Sequence, residues 1–297
     1  MNMDAGQLDA MDMEALREQE RLIARRHLNH FPWMTFTWGM ANVVCWLLLW
    51  PAVFAWGLSL WVAFPVAVLN FMLFYLPSHE AQHSIIARPG EKLRWLNEFV
   101  GHVCSTPMVI PYRVLRATHM EHHKYANDPE LDPDYPMHAD SSLGAIWKAI
   151  QWRQPRPDGT SHVYARTLER LGREDLIAEA ALYELAYYSF LFGMAWSGFA
   201  IEVALLWWLP RHLAFVYLLF YLAWAPHNPA MEKGRYKDTR SFKSPLGNIG
   251  TMGMQFHIIH HLYPRIPLYR TPQAYWELLP ILEKMGAPID ELPARPD

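Results

Sequence analysis

Eight of the fifteen histidines in this 297-residue sequence fall in three short blocks. HEAQH supplies His79 and His83, HMEHH supplies His119, His122 and His123, and HIIHH supplies His257, His260 and His261. On a helix, positions i, i+3 and i+4 share a face. Each H-x-x-H-H block therefore presents three imidazoles together, and HEAQH presents two. A ninth candidate, His227, stands in WAPHNPA. Imidazole suits iron, copper, nickel and zinc alike, so ligand type alone leaves the metal open. Nine ligands exceed the three or four that a single zinc takes. Two metals of four to six coordination would use them. HEAQH alone also matches the zinc-protease pattern, in which Glu80 would be the catalytic base. That reading leaves both H-x-x-H-H blocks idle and finds no Asp within either apolar block to complete a zinc site. His27, His30, His102, His138, His162 and His212 belong to no block and are read as ordinary side chains.

Something must bring blocks some 180 residues apart into one layer. From Phe31 to His79 there is no Asp, Glu, Lys or Arg, a run of 49 residues. A bilayer span needs about 20 apolar residues, so this run predicts two spans, with Pro51 and Gly57 marking the turn. A second apolar block, Leu185 to Met231, is interrupted only by Glu202 and Arg211 and predicts two more, turning near Leu209–His212. Of 26 Lys and Arg, only Arg211 falls inside either block. With two hairpins, the other basic residues all lie on one side, which the positive-inside rule makes the cytoplasm. Both termini and the histidine blocks then share that side. A transporter would want such ligands along its spans, whereas these gather at one face.

The polar segments predict a cap. EKLRWLNEFVGHV at 91–103 has helical periodicity suited to the membrane surface. NDPELDPDYPMH at 127–138 is a loop by its prolines and acids, and so is QPRPDGT at 154–160. A charged amphipathic helix is expected from His162 to Tyr183, and a final helix near Gln273–Met285. Glu80, Glu121, Asp128 and Asp134 are candidate acceptors to orient the imidazoles. Glu202 reads as a carboxylate near an outer span end. A formal charge of −3 argues against nucleic acid as a partner. Cys45, in a span, and Cys104, in the cap, are not expected to pair. The first residues lack the basic start and apolar core of a signal peptide.

The combination H-x-x-x-H, H-x-x-H-H and H-x-x-H-H, with a further histidine after the fourth predicted span, resembles the membrane fatty acid desaturase superfamily. That superfamily includes acyl-lipid desaturases and the carotenoid ring hydroxylases and ketolases. The resemblance runs from about Phe31 to the C-terminus, leaving residues 1–30 as a cytoplasmic N-terminal segment and 31–297 as the desaturase-like domain. It implies an all-α integral membrane fold: four transmembrane helices in two hairpins, under a cytoplasmic helical cap with a histidine-rich di-metal site. It further implies two iron ions bound by His79, His83, His119, His122, His123, His227, His257, His260 and His261, with no catalytic residue beyond these ligands. O2 would be the co-substrate and an acyl chain or a carotenoid the lipid substrate. Because no HPGG motif of a fused cytochrome b5-like domain is present, electrons would come from a separate donor such as ferredoxin with its reductase. The flanks HHKYANDPELDPD and FHIIHHLYPRIPLYR look more like the bacterial carotenoid-hydroxylase-type and acyl-lipid branches than the acyl-CoA branch. The asparagine that the acyl-CoA branch carries four residues before the fourth-span histidine is Ala223 here.

Overall fold

The computed structural model describes residues 5–229, 232–290 and 292, and among these there is no β-strand. The ends of the expected N-terminal segment and of the domain (1–4 and 293–297), together with Met231, lie outside the described residues. Three helical runs are long and apolar enough to cross a membrane: α2 (Trp33–Phe54), α3 (Leu60–Gln82) and a continuous run Glu174–Trp224. α1 (Ala5–His27) precedes them. Between α3 and the third run lie α4 (Arg94–Ser105), α5 (Tyr112–Tyr125), α6 (Ser142–Trp152) and α7 (Thr160–Arg170).

The third run is broken where Gly198 adopts φ 92°, a left-handed conformation that suits glycine. Before the break runs α8 (Glu174–Met194). After it come α9 (Ala200–Val203) and α10 (Leu209–Leu218), with π-helical turns at Ala204–Trp208 and Leu219–Trp224. The chain doubles back here, because the Tyr187 and Phe190 rings pack against Trp207 with centroids 5.1 and 5.4 Å away. The turn expected near Leu209–His212 therefore lies at Gly198. Pro210 sits in the first turn of α10, where its missing N–H costs least, so it does not break the chain. His212 is consequently mid-helix rather than at a turn, with Nδ1 2.7 Å from the Trp208 carbonyl. Glu202 follows the break by one turn. The single helix expected over His162–Tyr183 is likewise two, because Gly172 (φ 64°) separates α7 from α8.

Proline and asparagine inside α2 and α3 are accommodated by pairing. Pro77 cannot donate to the Leu73 carbonyl one turn back, and the Trp38 indole N–H from α2 donates to that oxygen instead, at 3.1 Å. Asn42 and Asn70 bond across the helix pair at 2.9 and 2.6 Å, as buried amides between apolar helices must. Large apolar side chains face outward on all three long runs. Trp61 is 91% and Trp196 94% exposed, a surface that suits lipid rather than water.

α4 and α5 form a hairpin laid against α3. Ser78 donates to the Gly101 carbonyl at 3.0 Å, and Asn97 and Tyr112 donate to the Ala81 carbonyl at 2.9 and 2.8 Å. A β-carbon on Gly101 would stand 2.5 Å from the Tyr112 ring, so only glycine permits this approach. At the hairpin tip, Val109 holds φ 59°, a strained value for a β-branched residue. The tip carbonyls of Pro107 and Met108 accept from Trp207 Nε1 and Arg211 Nε, both at 2.7 Å. The third run therefore positions the helix that carries the second histidine block. Beyond it, α11 (Gly247–Gly250), α12 (His257–Leu262) and α13 (Thr271–Lys284) close the cap.

The position of the break is testable on a background lacking Cys45 and Cys104. Ser197→Cys should react with a membrane-impermeant maleimide and His212→Cys should not. Faster labelling of His212→Cys would restore the turn to Leu209–His212.

Candidate metal centre

Four elements deliver the histidines to one layer. The last turn of α3 carries His79, and His83 caps it. α5 carries His119, His122 and His123, and α12 carries His257, His260 and His261. His227 follows the end of the third long run. All nine come together, and they divide into two groups. The ligand atoms of His79, His83, His119, His123 and His260 lie within 4.8 Å of one another, as do those of His122, His227 and His261. His257 adjoins the second group, its ring centroid 5.5 Å from His227 and 4.8 Å from His261. The remaining histidines bond elsewhere: His27 near Glu277, His30 to the Arg26 carbonyl, and His138 to the Tyr135 carbonyl.

The nitrogen positions fit metal ions. Within the first group Nε2 of His119 stands 2.9 Å from that of His83 and 3.1 Å from that of His123, which is 2.9 Å from that of His260. Metal–imidazole bonds of about 2.0–2.1 Å place two ligands at right angles about 3.0 Å apart, against about 3.4 Å at a tetrahedral angle. These separations match the edges of a five- or six-coordinate site. In the second group, Nε2 of His227, His257 and His261 is buried without any hydrogen-bond partner. Three unpartnered nitrogens in the interior are what a bound cation would satisfy.

The same burial sets the protonation state. Desolvation and neighbouring imidazoles push His83, His119, His123, His257, His260 and His261 well below the ordinary imidazole range. His227 falls to about 3, chiefly through burial. These rings are neutral at pH 7, the form that ligates. His122 differs. Burial pulls it down too, but the Asp132 and Asp134 carboxylates outweigh burial and raise it to about 9. Its Nδ1 lies 2.9 Å from Asp132 Oδ1 and 3.8 Å from Asp134 Oδ2. Asp132 is held below the usual carboxylate range by this partner despite its burial. When His122 is neutral, Nδ1–H donated to Asp132 leaves Nε2 facing the second group.

Asp132 was not among the expected acceptors, because four acids lie in one proline-rich loop and nothing in their order marks which turns inward. The loop is wound around it: Asp132 accepts the backbone N–H of Asn127 and of Asp134, each at 2.9 Å. Of the expected acceptors, Asp134 is the nearest to an imidazole, at 3.8 Å. Glu121 pairs with Arg170 at 3.0 Å and Asp128 with Lys233 at 2.6 Å. Glu80 accepts the Leu268 N–H at 2.6 Å and the Thr35 hydroxyl, so its carboxylate braces α3 against α2 and against the turn after the third block. A carboxylate so committed is poorly placed to serve as a hydrolytic base. Two further anchors were also not expected. The Asp238 carbonyl takes His227 Nδ1 at 2.9 Å, and Met254 Sδ lies 3.2 Å from His257 Nδ1.

Residues 58–293 match the family model described as "Fatty acid desaturase". The chain is 23% identical to the chloroplastic omega-3 fatty acid desaturase of Glycine max, over 85% of this chain and 62% of that protein. It therefore spans less than two thirds of that relative. The sn-1 acyl-lipid omega-3 desaturase (ferredoxin) of Nostoc sp. (strain 36) is also 23% identical, over 76% of this chain and 70% of its own length. Similarity extends to the zeaxanthin 4-ketolase of Chlamydomonas reinhardtii, 27% identical over 37% of this chain and 28% of the relative.

Asp132→Asn should keep the fold but bind metal at the second group about 10–100-fold more weakly, read as loss of metal to a competing chelator. Wild-type retention in that variant would remove Asp132 from the site.

Proposed function

Because the chain belongs to the fatty acid desaturase family, we propose that it is a membrane-bound, O2-dependent di-iron desaturase of lipid-linked acyl chains. The observation that carries this reading is the gathering of eight imidazoles into adjoining groups of five and three, with His257 beside them, next to an apolar cavity. The cavity is lined by His79, His119, His122 and His257 and by Tyr75, Leu115, Leu218, Leu222 and Met254.

In this reading the first iron is held by His79, His83, His119, His123 and His260, and the second by His122, His227, His257 and His261. Two irons, when bound, supply the activation of O2 and the oxidation of an unactivated C–H bond. The rest falls to the chain itself. Burial keeps the imidazoles other than His122 neutral, Asp132 and the Asp238 carbonyl fix two rings, and the apolar wall holds a methylene chain beside the layer while excluding water. The four spans form two hairpins, α2–α3 and the two halves of the run broken at Gly198. The histidine layer faces the cytoplasm with both termini, within a single domain over 31–297. Electrons come from a separate ferredoxin-type donor with its reductase, the class printed in the name of the Nostoc relative.

Carotenoid ring ketolation or hydroxylation is the second reading, favoured by the similarity to the zeaxanthin ketolase. One host making both β-carotene and monounsaturated lipids separates the two. We expect a new double bond in the membrane acyl chains, unchanged pigments, and about two irons in the purified protein. His122→Ala and His260→Ala should each abolish the new product. Zinc without iron, or altered pigments with unaltered acyl chains, would overturn the acyl-lipid reading.

A further inference from the structure

The wall of the cavity follows one face of α10 and the π-helical turn that continues it. Phe215, Leu218, Leu219, Leu222 and Ala223 all line it, at the i, i+3, i+4, i+7, i+8 spacing of a single stripe. That stripe rises about 12 Å along the helix, toward His227. The histidines line the cavity near Ala223. Around Phe215, where a purely apolar chain would want more hydrocarbon, two arginines gather instead. The Arg153 guanidinium carbon sits 3.8 Å from the Phe215 ring centre and that of Arg211 5.2 Å from it.

Neither guanidinium has a carboxylate within ion-pair distance among the described residues. Glu184 is near enough to act on both electrostatically but pairs with neither. Arg211 spends its Nε on the Met108 carbonyl. Arg153 Nε is buried with no acceptor, and so is the indole Nε1 of its neighbour Trp152. Both residues line the cavity. Two like charges and two idle donors at one end of an otherwise apolar chamber are costly unless an anion completes them.

We propose that Arg153, with the Trp152 indole N–H and with Arg211 behind it, receives an anionic oxygen group at the end of the acyl chain. The group is a carboxylate or a phosphate, both of which a guanidinium matches in charge and geometry. Held there, it sets how far along the chain the metal layer acts. The acyl chain as occupant rests on the desaturase reading; the anion site rests on the arginines and idle donors alone.

Equilibrium binding to the full-length, iron-replete protein tests it without turnover, using oleate, oleoyl-lysophosphatidylglycerol and neutral oleyl alcohol as probes. At least one anionic probe should bind about tenfold more tightly than the alcohol, and the tighter of the two identifies a free acid or a phospholipid as the source. Arg153→Gln should erase that preference while leaving alcohol binding intact, and Arg153→Lys should retain most of it. Equal affinity of the wild type for all three probes, or a preference that survives Arg153→Gln, overturns the proposal. Charge-selective binding in a protein that forms no new double bond would keep this site and remove the desaturase reading. New double bonds without charge selectivity would do the reverse.

Discussion

Nine imidazoles in one dry layer cannot satisfy one another. Each neutral ring has one N–H and one lone pair, and here the rings crowd to centroid separations of 4.3–5.9 Å. Fixed groups take the Nδ1 side of His122, His227 and His257, namely Asp132, the Asp238 carbonyl and Met254. That leaves the Nε2 side turned inward, unpartnered at His227, His257 and His261. Each orphaned nitrogen costs about 1–3 kcal/mol until something fills the centre. Tertiary packing around the layer has to hold it together against that cost, and the buried polar braces are found there. Glu80 ties α3 to Leu268 and Thr35. Glu20, almost wholly buried, accepts from Arg235, Tyr236 and Tyr263 and locks α1 against the segments on both sides of the third block.

A second constraint comes from the apolar surroundings of the spans, where a backbone carbonyl has no water to fall back on. The chain meets it with long side chains from neighbouring helices. Trp38 serves the carbonyl that Pro77 abandons, and Trp207 and Arg211 serve the tip of the α4–α5 hairpin. These bonds are also what gives the layer its position. The tip carries α5, α5 carries three of the histidines, and the hairpin rests on the same turn of α3 that carries His79. The geometry of the histidine layer and the packing of the long helices are thus set by one group of contacts.

Much of this was legible in the residues. The three blocks, His227, the apolar runs and their approximate ends follow from periodicity and charge, because helical spacing and bilayer thickness act over short stretches of chain. Two things were not legible. Pro210 and Arg211 looked like punctuation and Gly198 did not, since proline in the first turn of a helix and at a break read alike. Arg211, which interrupts the apolar block at the expected turn, instead bonds the Met108 carbonyl across 103 residues. Asp132 was hidden for a related reason: the choice among neighbouring acids is made by a loop fold, and loops carry no period from which orientation could be read.

HEAQH matches a zinc protease in every letter, and the arrangement around it argues against that chemistry on two independent grounds. A tetrahedral zinc would hold its imidazole nitrogens about 3.4 Å apart, whereas the neighbouring pairs in this group stand at 2.9–3.1 Å and belong to a set of five. A protease also needs its glutamate free to face a water. Glu80 is buried, its two oxygens engaged by Leu268 N–H and the Thr35 hydroxyl on elements distant in sequence. Releasing that carboxylate for proton transfer would unfasten the helix that presents His79 and His83. The residue that a short motif marks as catalytic is, in this chain, part of what keeps the ligands in place.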